Sequence, residues 1–183
     1  MKPRSTRNSR ENGFTLIEAM VSLVILTFGI LALAAVYTQG IVFANIAQYD
    51  YIAEKKAEET VETIFTARDT QILNWTAIQN VTNGGVFLDG PQPLLVPGTD
   101  GLLGTQNDAG AAPDVVIIGP GPDKQIGTAD DIVFPLTGFM TREIQIFNIQ
   151  NQPNLRQIVV TVNYQAANKK RQYVLVSYIS AFA

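Results

Sequence analysis

Hydrophobic positions are distributed unevenly along the chain. Between residues 14 and 49 only one position is charged, and residues 19–36 are almost wholly apolar. As a helix, residues 14–36 would span about 34 Å, enough to cross a hydrocarbon core of about 30 Å. From residue 46 onward, apolar positions recur every three or four residues among charged ones. This spacing predicts that the same helix continues as an amphipathic segment to about residue 70.

The middle of the chain has a different pattern. Residues 81–128 hold most of the Gly and Pro residues, which indicates a long irregular region. A short apolar run at residues 115–118 predicts one strand within it. Connections of this length are usually either functional or disordered.

The last part of the chain reads as a sheet. Residues 143–149 alternate between apolar and polar side chains, and the runs at 156–164 and 171–179 are rich in β-branched and aromatic residues. The predicted connections, 150–154 and 166–170, are short, so an antiparallel meander is expected.

These elements predict an α+β fold in which a long N-terminal helix packs on a C-terminal antiparallel sheet. The expected segments are a basic leader (1–13), a transmembrane helix (14–36), its amphipathic continuation (37–72), a variable region rich in Gly, Pro and Asp (73–140) and the sheet (141–183).

Composition narrows the functional classes. Only 16% of the residues are charged, against roughly 25% in an ordinary soluble chain, and the formal net charge is -3. The chain therefore lacks the basic excess of a typical nucleic-acid binder. It has no Cys and no His, which removes the commonest nucleophilic, general-base and metal-ligating side chains. No catalytic arrangement is apparent, and we do not expect an enzyme.

The leader is basic, with Lys2, Arg4, Arg7 and Arg10 opposed only by Glu11. Basic residues before an apolar span place the leader in the cytoplasm and the following domain on the exported side. An uncleaved anchor and a secretory signal peptide cut near residues 32–34 are two interpretations. The apolar run is longer than a secretory signal requires, and Glu18 near its start suggests a third.

Residues 13–18 read Gly-Phe-Thr-Leu-Ile-Glu and are followed at once by the apolar run. With the basic leader, this motif resembles the processing site of type IV pilins and type II secretion pseudopilins. The resemblance implies a pilin-like fold, peptidase cleavage between Gly13 and Phe14, and N-methylation of Phe14. It also implies a role for Glu18 in filament assembly, in which its carboxylate neutralises the new amine of a neighbouring subunit.

Residues 24–34 and 53–59 are most similar to V-type minor pilins and I-type minor pseudopilins. The resemblance implies a minor pilin-like structural subunit of a type IV pilus that contributes to filament assembly or initiation. A minor pseudopilin of a type II secretion system and a membrane-tethered exported binding module are the alternatives. The implied location is a single-pass inner-membrane protein with a cytoplasmic N-terminus, or an extracellular pilus subunit.

The same resemblance implies a set of partners. They are the prepilin peptidase and methylase, other major and minor pilin subunits, inner-membrane lipid and an inner-membrane assembly platform. Nucleic acid is not expected as a partner, because the basic cluster at residues 169–171 is short and is interpreted as a solvated hairpin tip.

An internal repeat lies in the variable region. A pattern of Asp, three residues ending in Leu or Ile, Gly-Thr, one residue, Asx and Asp occurs twice, 23 positions apart. Two interpretations stay open: surface turns without an ion, and calcium loops built from hard oxygen ligands. Ca²⁺ is therefore the one candidate cofactor. Its candidate ligands are Asp100, Asn107, Asp108, Asp123, Asp130 and Asp131.

Overall fold

The computed structural model describes residues 15–182, which fall into two compact units on either side of the boundary between Ala44 and Asn45. One helix, α1 (Leu16–Asp69), provides the regular structure of the first unit among its described residues and continues into the second. No Pro interrupts this segment, so its backbone hydrogen bonds are continuous. Beyond the helix, Gln71 adopts a left-handed conformation with φ of 60°. The prediction of one helix from the apolar run to about residue 70 is confirmed for the described residues.

The second unit contains a four-stranded antiparallel sheet and a separate two-stranded sheet. In chain order the strands are β1 (Gln92–Pro93), β2 (Val115–Gly119), β3 (Ile132–Pro135), β4 (Met140–Ile149), β5 (Gln152–Ala166) and β6 (Lys169–Ser180). The larger sheet has the order β1-β4-β5-β6, and β2 pairs with β3 in the smaller one. Short 3-10 helices lie at Trp75–Ala77, Val81–Asn83 and Gln106–Asp108.

The connection between β4 and β5 is shorter than the predicted 150–154. The chain turns at Gln150 and Asn151, and Asn151 has a φ of 62°, so Pro153 lies inside β5. A register irregularity separates the Asn148 and Ile149 pairings, and a strand tolerates a Pro where its regular ladder is broken.

The hairpin between β5 and β6 is also tighter than predicted. Ala167 and Asn168 form a two-residue connection, and both have positive φ. Such turns match the twist of the flanking strands, so the register continues to the end of the hairpin, where Ala166 pairs with Lys169.

The core of the second unit lies between α1 and the inner face of the larger sheet. Helix residues three or four positions apart are buried, and small side chains among them allow close approach to the sheet. The facing strand residues alternate between buried and partly exposed positions. The α+β prediction, with the helix packed on an antiparallel sheet, is therefore confirmed. The buried residues on the two sides include Ala53, Ala57, Thr60, Ile64, Ala67, Ile144, Ile146, Ile158, Val160 and Val162.

Candidate functional site

The first turn of α1 carries the predicted assembly residue. The backbone N–H of Glu18 donates to the carbonyl oxygen of Thr15 (3.1 Å) and approaches its hydroxyl oxygen (3.4 Å). A carboxylate in the first turn of a helix interacts favourably with the helix dipole. Gly13 and Phe14, the predicted cleavage and methylation residues, lie outside the described residues.

Glu18 is exposed near the start of the apolar part of α1. The Ser22 hydroxyl donates to its backbone oxygen over 2.8 Å, whereas its carboxylate forms no ion pair with any residue in 15–182. A carboxylate within a membrane span costs roughly 2.5 to 3.5 kcal/mol unless it has a partner. Any charge partner of Glu18 must therefore come from outside the described chain.

The apolar side chains of the first unit are exposed. Among the described residues, α1 is the one helix that is long and apolar enough to cross a membrane, and its most apolar window has no buried residues. Hydrocarbon is the solvent in which such a surface is stable. The exposed set includes Leu16, Ile17, Leu23, Ile25, Phe28, Leu31, Leu33 and Val36.

Comparison with known families gives one finding. Residues 8–34 match the family model of the prokaryotic N-terminal methylation motif. The match supports a type IV pilin-like or pseudopilin-like prepilin and, together with the apolar helix, a membrane-anchored protein with a single span. No curated protein and no solved structure matches the chain significantly.

The two copies of the repeat fold alike. The first acidic loop (97–108) ends at Asp108, whose carboxylate accepts backbone N–H groups from Gly98 (2.9 Å), Gly104 (2.6 Å) and Thr105 (3.2 Å). In the second acidic loop (120–131), Asp131 accepts the corresponding N–H groups of Gly127 (2.6 Å) and Thr128 (3.1 Å).

The leading Asp of each loop caps the turn that follows it. Asp100 accepts the N–H of Leu102 (3.1 Å), the Thr105 hydroxyl (2.9 Å) and the Asn107 amide (2.9 Å). Burial raises the pKa of Asp100, but these hydrogen bonds outweigh it and lower the pKa below its ordinary value. In the first loop the leading Asp is thus hydrogen-bonded to the Asx residue, Asn107.

The second loop closes through different partners. Asp123 accepts the N–H of Gln125 (2.8 Å), while Asp130 accepts the Thr128 hydroxyl (2.7 Å) and the N–H of Asp123 (3.2 Å). The Thr128 hydroxyl is the main cause of the lowered pKa of Asp130.

The sequence repeat extends further than its Asp and Gly-Thr positions. A Pro-Gly pair at 97–98 recurs at 120–121, and both glycines pack directly against backbone. A Cβ on Gly98 would lie 2.3 Å from the carbonyl oxygen of Asn107, and one on Gly121 would lie 2.1 Å from that of Asp130. The two Pro-Gly pairs are 23 positions apart, like the rest of the repeat, so the sequence alone is enough to find them.

The two loops differ in burial. Leu103 in the first loop is 2% exposed, whereas Ile126, at the corresponding position of the second loop, is 71% exposed. The first loop is therefore part of the core of the second unit, and the second loop is a surface connection between β2 and β3.

The six candidate calcium ligands belong to these two acidic loops. Within residues 15–182, no cluster of three or more His, Cys, Asp or Glu side chains is placed to hold a metal ion. Most of the carboxylate oxygens accept hydrogen bonds from their own loops. One oxygen of Asp131 is buried without a hydrogen-bond partner among the described atoms. Calcium binding stays a prediction.

A second charged site, which the sequence did not identify, links α1 to the β5–β6 hairpin. The Arg171 guanidinium donates to both carboxylate oxygens of Asp50, from Nε at 3.1 Å and from Nη2 at 3.0 Å. The Tyr164 hydroxyl donates to the same carboxylate. Burial and this bond raise the pKa of Tyr164, and bonds to Tyr164 and Asp50 raise that of Arg171. No local pattern joins residues so far apart in the chain.

Proposed function

We propose that this chain is a minor pilin-like structural subunit of a type IV pilus, processed by a prepilin peptidase, that contributes to filament assembly or initiation. The observation that carries the proposal is the methylation motif at residues 8–34, which includes the first part of the apolar helix that begins at Leu16. A structural role, rather than an enzymatic one, follows from the same motif.

In this proposal the basic leader stays in the cytoplasm and the second unit is exported. The positive charges before the span and their absence immediately after it support this orientation. The peptidase removes residues 1–13, and the apolar helix remains attached as the membrane anchor. The same surface then packs against other pilin subunits in the filament.

Glu18 favours the packing of one subunit beside another in the filament. Cleavage after Gly13 frees an amine on Phe14, which would be positively charged near neutral pH because an unperturbed α-amine has a pKa of about 7.7 to 8. A carboxylate and an amine that are each costly in lipid are less costly as a pair. A subunit leaving the bilayer is therefore favoured beside a neighbour that completes the pair.

Substitution of Glu18 tests this role in a host that assembles the filament. We expect Glu18→Ala to be cleaved normally and to be absent from sheared filaments. Ser22→Ala is the matched control, because it removes a small polar group one helical turn away without changing charge. Incorporation of Glu18→Ala at the level of Ser22→Ala would contradict the role.

Two other assignments make different predictions. A minor pseudopilin would be required for protein secretion and not for surface filaments, whereas a tethered binding module would be required for neither. We expect deletion of the chain to reduce the number of surface filaments while the secreted proteins stay unchanged. Loss of secretion with normal filaments would assign the chain to a type II secretion system.

Calcium in the acidic loops is a separate proposal with a separate test. It is supported by the repeated carboxylates and by the unpartnered oxygen of Asp131. Calcium should raise the melting temperature and the protease resistance of the full-length protein, and Asp131→Asn should weaken both effects. No change in either property on titration would remove the metal from the account.

A further inference from the structure

The tip of the β5–β6 hairpin lies where the chain enters the second unit. That unit begins at Asn45, and Asp50 follows after five residues of helix, or about 7.5 Å. Asp50 is also the first charged residue after Glu18. Since Arg171 binds Asp50 through two hydrogen bonds, the hairpin tip is held at this end of the unit.

The basic tip, defined as Lys169, Lys170 and Arg171, carries uncompensated positive charge. Asp50 neutralises Arg171, whereas neither lysine forms an ion pair with any residue in 15–182. Both lysines are exposed, and successive side chains of a strand point to opposite faces of the sheet. The tip therefore presents positive charge on both faces, on a chain whose net charge is -3.

A shallow cavity of about 440 Å³ adjoins the tip. Lys170 and Arg171 line it together with polar side chains from β4 and β5 and one exposed aromatic ring. Cations and amide or hydroxyl donors around an apolar surface suit a phosphate ester attached to a glycerol backbone. The other lining residues include Thr141, Asn163, Gln165 and Phe139.

We propose that the basic tip binds the phosphate headgroups of anionic phospholipids in the bilayer that holds the apolar helix. The inference rests on the proposed membrane anchoring and adds to it a specific contact surface. The two hydrogen bonds from Arg171 offset the negative charge of Asp50, which would otherwise repel anionic headgroups.

Because the chain is anchored in the bilayer, a surface as small as the basic tip is sufficient to bind headgroups. Each Lys or Arg near an anionic membrane surface favours the contact by a factor of about five. Attachment of the chain to the bilayer also raises the effective concentration of headgroups at the tip. The subunit would lose this contact when it leaves the bilayer for a filament.

The chain has no Cys, so one introduced thiol gives a unique label. Full-length Ala167→Cys, carrying a fluorophore in the hairpin turn, is reconstituted into vesicles that contain a lipid with a quencher on its headgroup. We expect quenching to be at least about two-fold stronger with phosphatidylglycerol present than in phosphatidylcholine alone, and to weaken at high salt. The same label at Gln152, on an exposed position at the opposite end of β5, should show no such difference.

Charge removal tests the assignment to the tip. Lys169→Gln with Lys170→Gln should abolish the dependence on phosphatidylglycerol, whereas Lys124→Gln, at another exposed lysine, should leave it unchanged. Insertion of the chain with equal quenching in both lipids would overturn the headgroup contact alone. Failure to insert would contradict the membrane anchoring as well. Binding of a DNA duplex that requires the two lysines, without a response to lipid, would assign the tip to nucleic acid instead.

Discussion

The side-chain amide of Asn80 donates to the backbone oxygen of Ile144 over 2.7 Å, inside the second unit. Its oxygen accepts the backbone N–H of Ile146 over 2.8 Å. At this edge of β4, β1 pairs only with Thr141 and Arg142. Beyond β1, the Asn80 side chain therefore makes the hydrogen bonds to β4 that a neighbouring strand would make.

Asn80→Ala should consequently destabilise the fold strongly. It leaves a buried N–H and a buried carbonyl without partners, and each such group costs about 1 to 3 kcal/mol. Denaturant unfolding of the full-length protein in detergent should show a loss of at least about 2 kcal/mol. Asn83→Ala, at an exposed site in the same segment, should change stability by less than about 0.5 kcal/mol. Equal effects of the two substitutions would show that the amide bridge is unimportant.

A methyl group at Gly98 should open the first acidic loop. Its Cβ would lie 2.3 Å from a backbone oxygen of Asn107, so the loop has to move. Overpacking of this kind costs about 1 to 3 kcal/mol, and Gly98→Ala should lower the melting temperature and expose the loop to protease. Gly119→Ala is the control, since its nearest atom lies 3.9 Å away. If the two variants melt alike, the loop is not held by this packing.

The lowered pKa of Asp100 predicts that this carboxylate stabilises the fold at neutral pH and loses that effect in acid. A carboxyl group whose pKa is lower in the folded state stabilises the protein above its unfolded pKa, close to the ordinary value of 3.8. That contribution is lost as the pH falls below this value and through the folded pKa. Below about pH 4, the stability of Asp100→Asn should therefore fall less steeply with decreasing pH than that of the parent protein. Acid titrations monitored by circular dichroism measure this difference. Parallel acid transitions for the variant and the parent protein would contradict this assignment.

Arg142 is 2% exposed, and its Nη1 donates to the Thr60 hydroxyl over 3.3 Å. Burial lowers its pKa, although the carboxylates of Asp108, Asp114 and Glu59 oppose this effect. Its Nε is buried without a hydrogen-bond partner among the described atoms. The buried guanidinium is therefore incompletely hydrogen-bonded.

Arg142→Met keeps most of the side-chain volume and removes the buried charge. We expect its unfolding free energy to stay within about 1 kcal/mol of the parent protein or to rise, because apolar replacements of buried ions are often neutral or stabilising. Arg142→Ala should cost about 2 to 4 kcal/mol through the cavity it leaves. A loss as large for Met as for Ala would mean that the charge itself stabilises the core.

The helix and the three long strands could be predicted because their patterns are local. Spacings of three and four mark the helix, and alternation along residues 143–149 marks β4. β1 and β3 were missed. β1 is two residues long and is defined by its pairing with β4, and β3 is defined by its pairing with β2 across the second acidic loop. Two residues are too few for a burial pattern to reveal β1.

The spacing of apolar and polar positions also could not predict long-range polar contacts. Arg142 is charged, so periodicity places it outside the core, although the structure buries it beside Thr60. The ion pair between Asp50 and Arg171 joins residues that only the folded sheet brings together. In contrast, the methylation motif is contiguous, so the basic leader, residues 13–18 and the apolar run after them indicate it from the sequence alone.

The mass of the N-terminal peptide of the mature protein tests the central claim most directly. Purified from a host with the prepilin peptidase, the chain should begin at Phe14 and carry one methyl group on its α-amine. A chain that still begins at Met1 would be an uncleaved anchor. A chain that begins after Ala34 would be a secreted protein without its apolar helix, and either result would contradict assembly through that helix.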